Sequence, residues 1–240
     1  MVLVKEVNLS VKKRNISFTV EDSQELHQEK GYNFWKEKYS SWENETFNFL
    51  DKFLSKEKDY LDIGSWVGPT VIYASHLCRN VVAIEPDPVA YRILNTNIAL
   101  NNISNIETIN KAVSIFETSF MSESKFFGDS MTRVSSSSEN GTPIEVVRLE
   151  ELFSMGDYSI VKMDIEGSEF DVVPYYSSLF KEKGIPLYLS THAPFFKDEN
   201  EKTSKLIDSL SSANKIYNES GDEIKLKEIT ANFGSYLISW

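Results

Sequence analysis

The run Asp59 to Gly68, DYLDIGSWVG, decides the fold. An apolar strand ends in an acid, Asp62, and passes into a turn carrying Gly64 and Gly68. A second apolar run, NVVAIEP at 80–86, closes on Glu85. In an open parallel α/β sheet, ligands bind outside the carboxyl ends of the strands where the strand order reverses, so these two turns are expected to share one crevice. An acid closing the second strand is placed to accept hydrogen bonds from both ribose hydroxyls of an adenosine. A dinucleotide would also need G-x-G-x-x-G, which lets backbone close on a pyrophosphate at a helix terminus. Gly64-Ser65-Trp66-Val67-Gly68 departs from that pattern, and Trp66 and Val67 crowd the pyrophosphate's place. Asp62 offers a carboxylate where an ammonium group can be held. A zwitterionic amino-acid tail, as in S-adenosylmethionine, fits better.

Outward from this run, the pattern is strand 60–63, helix 69–78, strand 80–85, helix 87–100 and strand 105–110, the alternation of a doubly wound sheet with right-handed crossovers. Asp87 and Pro88 read first as a helix start, with the acid as cap and the proline at the first helical position. Residues 114–149 break the rhythm with short strand-like pieces, an expected antiparallel excursion. Strands return at 158–164 and 186–190, and 215–218 with 233–239 supply a closing antiparallel hairpin. Before the sheet, residues 2–20 alternate around Lys13-Arg14-Asn15 as a β-hairpin, and two helices follow over 22–42 and 43–54. The expectation is one domain spanning 1–240: an N-terminal hairpin and helices over 1–55, then the cofactor-binding and catalytic sheet over 56–240.

LDIGSWVG, VVAIEPDPVAYRILNTNIALN and IVKMDIEGSEFDVVP together resemble the FkbM-type methyltransferases, whose motifs run D-hydrophobic-G-A/S-x-hydrophobic-G, E-P-x-P and K-x-D-hydrophobic-E-G-x-E. With WENETFNFL, GDSMT and LYLSTHAPFF, which look like a subgroup of that family, the likeness covers roughly 42–196. It implies a Rossmann-like, seven-stranded class I methyltransferase sheet of the α/β class. It further implies transfer of a methyl group from S-adenosylmethionine to oxygen, commonly a sugar hydroxyl of a glycan or glycosylated small molecule. Expected cofactor contacts are Trp42, Glu43, Asp62, Gly64, Ser65, Trp66, Gly68, Glu85, Pro86, Asp87, Ala112 and Asp164. Ser130, Met131 and Thr132 of GDSMT, with His192, are the expected substrate contacts.

Such a transfer asks the enzyme to align the reactants and to take the acceptor's proton. Alternation puts Lys162, Asp164 and Glu166 on one side of their strand and its extension, before Gly167 and Ser168 open a helix. His192 lies just past the strand LYLS, at the carboxyl edge. Asp164 and His192 are therefore candidate catalytic groups, with Glu166 beside them. The three can alternatively ligate Mg²⁺ or Mn²⁺, which prefer oxygen and tolerate an imidazole. Plainer readings stand beside these. Asp62 is also a strand-end cap, Trp66 a wedge against the first helix, and Glu166 and Glu169 favourable charges at a helix N-terminus. His27 and His76 read as helical surface residues.

Composition narrows the rest. With 240 residues and 41% hydrophobic content, the chain can bury a substantial core. The formal charge of −11 and the lack of a long basic cluster oppose a polyanionic partner, so no nucleic acid is expected. One cysteine allows no internal disulfide, and MVLVKEVNLS has neither the n-region nor the apolar h-region of a signal peptide, which points to a cytoplasmic protein. No apolar run reaches membrane-spanning length, and sequons such as Asn15-Ile16-Ser17 are expected to be idle. Two rivals remain. An NAD-dependent oxidoreductase lacks its G-x-G-x-x-G here, and a non-catalytic cofactor-binding protein would keep the sheet without the chemistry. Neither the acceptor hydroxyl nor an oligomeric state is written in these motifs.

Overall fold

In a computed structural model, which describes residues 4–21, 37, 39, 44–122, 133–136, 141–192, 199–230 and 232–240, the chain opens with an antiparallel hairpin of β1 (Val4–Val11) and β2 (Arg14–Glu21). Its turn falls on Lys12 and Lys13, at φ 45° and 71°, rather than on Lys13-Arg14-Asn15. A two-residue turn with both φ values positive matches the twist of the paired strands. Arg14 is thereby freed to begin β2, where its Nη1 donates to the Tyr73 hydroxyl at 2.7 Å. Of the helix expected over 22–42, only Glu37 and Tyr39 fall among the described residues. The next helix, α1 (Asn44–Phe53), buries Phe47 and Leu50 as its spacing requires.

β3 (Asp59–Ile63), α2 (Pro69–Ser75), β4 (Val81–Ile84), α3 (Pro88–Leu100) and β5 (Ile106–Ile109) follow in the expected alternation. The helix expected over 69–78 ends three residues early, at Ser75. The excursion is a parallel pair of β6 (Ala112–Val113) with β10 (Val146–Val147), and an antiparallel sheet in which β7 (Ser119–Ser122) lies between β8 (Val134–Ser135) and β9 (Gly141–Ile144). Then come α4 (Leu149–Met155), β11 (Tyr158–Met163), α5 (Glu169–Lys183), β12 (Leu187–His192), α6 (Glu199–Ser209), β13 (Lys215–Asn218) and β14 (Asn232–Ser239).

The main sheet has seven strands in the order β13-β14-β12-β11-β3-β4-β5. It is parallel from β12 to β5, and β14 runs antiparallel to both β12 and β13. Both faces are covered, which is why its strands read as near-continuous apolar runs. Leu61, Ile63, Val161 and Met163 pack with Phe170, Val173 and Tyr176 of α5, whereas Tyr60, Ala83 and Ile160 pack with α2, α3, α1 and the hairpin. Among the described residues no helix is long and apolar enough to cross a membrane.

The chain steps from β3 outward to β5 and then returns to place β11 on the other side of β3. The loops after β3 and β11 therefore diverge at a switch point, where a crevice opens. They touch closely. A Cβ on Gly64, which sits at φ 83°, would lie 1.7 Å from the Asp164 carbonyl oxygen. Trp66 and Glu166, at φ 48° and 51°, hold the left-handed conformation on the two loops without being glycine. Such backbone costs on the order of 1–2 kcal/mol per residue and concentrates at functional sites. Phe233 also has positive φ, at 49°: Thr191 pairs with Gly234 but His192 with Asn232, so Phe233 is the extra residue of a bulge in β14.

Gly64→Ala adds a steric clash to left-handed strain and is expected to destabilise the protein by about 2–5 kcal/mol. Gly184→Ala, also at positive φ but with nothing within 4 Å of the new Cβ, should lose only about 1–2 kcal/mol. Urea denaturation of both variants checks the difference. Equal losses would mean that the β3 and β11 loops are not in contact.

Candidate active site

A cleft of about 520 Å³, open to solvent, lies at the switch point. Ile63, Gly64 and Trp66 wall it from β3 and its turn, Ile84, Glu85 and Pro86 from β4, and Ala112 and Val113 from β6. Val134, Asp164, Ile165, Glu166 and Ser168 close the other side. Of the residues singled out as cofactor contacts, Gly64, Trp66, Glu85, Pro86, Ala112 and Asp164 border this cleft, while Asp62, Ser65, Gly68 and Asp87 lie behind its wall. Trp42, Glu43, Ser130, Met131 and Thr132 fall outside the described residues.

Glu85 is 6% exposed and works as a staple between two turns. Its Oε2 accepts from Trp66 N at 2.7 Å and its Oε1 from Asp87 N at 2.8 Å. Each carboxylate oxygen keeps a second lone pair for a ligand hydroxyl. Asp87 caps α3 by accepting from Val89 N and Ala90 N, as the sequence indicates. Ser65 Oγ donates to the Asp62 carbonyl, and Gly68 packs against Leu94.

Asp62 is fully buried. Its Oδ2 accepts from the Tyr60 hydroxyl at 2.9 Å and the Thr70 hydroxyl at 2.6 Å, and its Oδ1 stands 3.7 Å from Lys162 Nζ. Lys162, its register partner on β11, also lies 3.4 Å from Asp164 Oδ2. The ammonium next to Asp62 in this structure is thus the chain's own. On the far side of Asp164, Oδ1 is 3.6 Å from His192 Nδ1, and Glu166 Oε1 is 3.9 Å from His192 Nε2. Asp164, Glu166 and His192 can each present one ligand atom, all within 4.8 Å of one another, so they could hold a cation. Burial draws the His192 imidazole below its ordinary value of 6.5, against the pull of Asp164.

Two neighbours escape a sequence reading. Glu169, fully buried at the start of α5, accepts from Gly167 N at 2.8 Å and from His192 N at 2.6 Å. It thereby fastens the loop that carries Glu166 to the strand end that carries His192. Its position in a helix's first turn suggests only a dipole effect, whereas the final acid of K-x-D-hydrophobic-E-G-x-E was the available signal. Arg133, beside the GDSMT run, brings positive charge within electrostatic range of Glu166 and His192. Ser168 Oγ does not cap α5 but donates to the Val134 carbonyl, tying the excursion to the cleft.

Burial pushes Glu85 up to about 7 and Glu169 up to about 8, both against the backbone N–H groups that favour the charged form. As pH rises above the ordinary carboxyl value of 4.5, the unfolded chain loses these protons first. The linked stability is therefore full below about pH 4.5 and declines until pH passes the folded values. For Glu85 the shift from 4.5 to about 7 corresponds to about 3–4 kcal/mol at most, at about 1.4 kcal/mol per unit. The urea midpoint of ligand-free Glu85→Gln, relative to its value at about pH 5, should fall less by about pH 8 than that of the wild type. Parallel decline in the two proteins would show that Glu85 ionises in the fold as it does in the unfolded chain.

Residues 62–217 match the Methyltransferase FkbM domain family model. Among solved structures, the fold is similar to that of a Methyltransferase FkbM from Methylobacillus flagellatus KT, at 16% identity and a TM-score of 0.49, over 77% of this chain and 44% of that one. The chain thus spans less than half the length of that protein. A putative rRNA-methylase from Clostridium thermocellum aligns over 81% of this chain and 92% of its own, at 9% identity and a TM-score of 0.51. At 9% identity that methylase speaks to the fold alone, whereas the family model spans both the Asp62 turn and the Asp164 to His192 cluster. By that match the chain belongs to the FkbM methyltransferase domain family.

Proposed function

We propose that this protein is an S-adenosylmethionine-dependent O-methyltransferase acting on a sugar hydroxyl of a glycan or glycosylated small molecule. The observation that carries the reading is the switch-point cleft, with the buried Glu85 carboxylate in one wall and Asp164 in the other, 3.6 Å from His192. The residues present fit the cofactor. Ile84, Pro86, Ala112 and Val113 offer apolar walls for an adenine, Trp66 adds a ring, and Glu85 offers lone pairs to a ribose diol. Gly64 and Asp164 border the place for the methionine end. When bound, S-adenosylmethionine supplies an electrophilic methyl group.

His192, neutral near pH 7 because burial holds it below 6.5, accepts the acceptor hydroxyl's proton in this reading. Asp164 stabilises the resulting imidazolium across 3.6 Å. A divalent cation on Asp164, Glu166 and His192 is the alternative way to acidify the hydroxyl. The proton-acceptor form is favoured because Lys162 already places an ammonium 3.4 Å from Asp164, and a second cation there would be repelled. A sugar acceptor suits carboxylates at the rim and a chain of charge −11, which oppose a phosphate polymer.

S-adenosylmethionine and S-adenosylhomocysteine should raise the melting temperature, with about 2.7 kcal/mol of stabilisation at a hundred times the dissociation constant, and NAD should not. A shift with NAD alone would remove the reading. Asp164→Asn and His192→Ala should each cut turnover by about 10²- to 10⁴-fold and leave cofactor affinity nearly intact. The wild-type rate should rise with pH through a value below 6.5 and resist EDTA. Abolition by EDTA with restoration by Mg²⁺ or Mn²⁺ would assign the cluster to a metal instead.

A further inference from the structure

Phe233 stands at the rim of the site in a setting that packing alone does not explain. Its backbone is held at φ 49° in the β14 bulge, and the residue is 68% exposed. Glycine would take that conformation without strain, and a polar side chain would suit that exposure. The bulge is firmly built nonetheless. Thr191 Oγ1 donates to the Thr230 carbonyl at 2.9 Å and accepts from Gly234 N at 3.3 Å, while the Tyr236 hydroxyl accepts from Thr230 N at 2.9 Å. Gly234 is required beside it, since a Cβ there would meet the Tyr236 hydroxyl at 2.2 Å. Bulges are used next to active sites to re-aim a side chain. This one sets the Phe233 ring 5.7 Å from the His192 imidazole, at an interplanar angle of 86°.

We propose that Phe233 is the platform for the acceptor, stacking on the C–H face of a pyranose ring so that one hydroxyl of that ring meets His192. The inference rests on the sugar-hydroxyl reading above and names the residue that selects for it. An aromatic face is electron-rich and attracts the weakly positive C–H groups of a sugar, and a ring with two rotatable bonds gives up little entropy on binding. Hydroxyls around the edge of such a sugar can donate to Asp164 and Glu166, which lie 3.6 and 3.9 Å from the same imidazole. A nucleobase would also stack, but a nucleic acid brings phosphates toward these two carboxylates, which repel them.

The test uses the full chain loaded with S-adenosylhomocysteine. Methyl glycosides of neutral hexoses, with uridine and guanosine as controls, are titrated into wild type, Phe233→Ala, Phe233→Tyr and Phe233→Gly and followed by saturation-transfer difference NMR. The wild type should bind at least one methyl glycoside, with transfer strongest to the C–H protons of one ring face. Phe233→Ala and Phe233→Gly should weaken that binding by about 10-fold, and Phe233→Tyr should preserve it. In turnover of the glycoside that binds, the loss should appear in KM and hardly in kcat. Affinity for S-adenosylhomocysteine should be equal in all four proteins, because Phe233 does not border the cofactor cleft. Phe233→Gly, which relieves the positive φ, guards against a folding defect as the cause. Glycoside binding that is unchanged in Phe233→Ala would overturn the platform, as would a wild type that binds no glycoside or prefers the nucleosides. Failure of the wild type to bind S-adenosylhomocysteine would instead remove the methyltransferase reading itself.

Discussion

Lys162 carries a positive charge into the sheet where β3 and β11 lie side by side, and only 4% of the residue is exposed. A buried ammonium is costly unless it is paired, and here the partners are Asp62 on the neighbouring strand and Asp164 two residues on. Asp62 is held in turn by Tyr60, Ser65 and Thr70. The acid of the first motif and the lysine and acid of the third are therefore one electrostatic unit, although about a hundred residues of chain separate them. Removing one member would strand a charge in the interior, so the unit fixes how the two loops at the switch point face each other. The orientation of Asp164 toward His192 follows from it.

Around that unit the site is assembled by carboxylates that bind backbone. Glu85 joins the Trp66 turn to the start of α3, and Glu169 joins the Gly167 turn to the end of β12. Each ties a turn that holds a left-handed residue, Trp66 or Glu166, to a neighbouring segment, so the strain there is held by hydrogen bonds across the site. Rigid walls of this kind suit a reaction that depends on alignment of donor and acceptor more than on bond polarisation.

Much of this was legible in the chain because buried parallel strands are written as apolar runs and their ends as acids and glycines. The strands after Lys58, the capped helix at Asp87 and the grouping of Asp164, Glu166 and His192 all follow from such local patterns. The misses share a cause, which is that burial and register are set by tertiary contacts. Lys12-Lys13 carries none of the usual Asn-Gly signal, so the hairpin turn was displaced toward Asn15. Glu169 looks like any acid in a first helical turn until the fold closes over it. The alternation of 233–239 gives no hint that Phe233 is an extra residue, since a bulge is defined only by the partner strand.

Hydrogen–deuterium exchange with and without saturating S-adenosylhomocysteine tests the central claim most directly, because it reports where the ligand sits without assuming an acceptor. Slowed exchange concentrated in Gly64 to Gly68, Glu85 to Asp87 and Asp164 to Ser168 is the expected result. Unchanged exchange in those three turns under saturating ligand, or protection confined to the opposite edge of the sheet around Asn80 and Asn105, would contradict a cofactor site at the switch point.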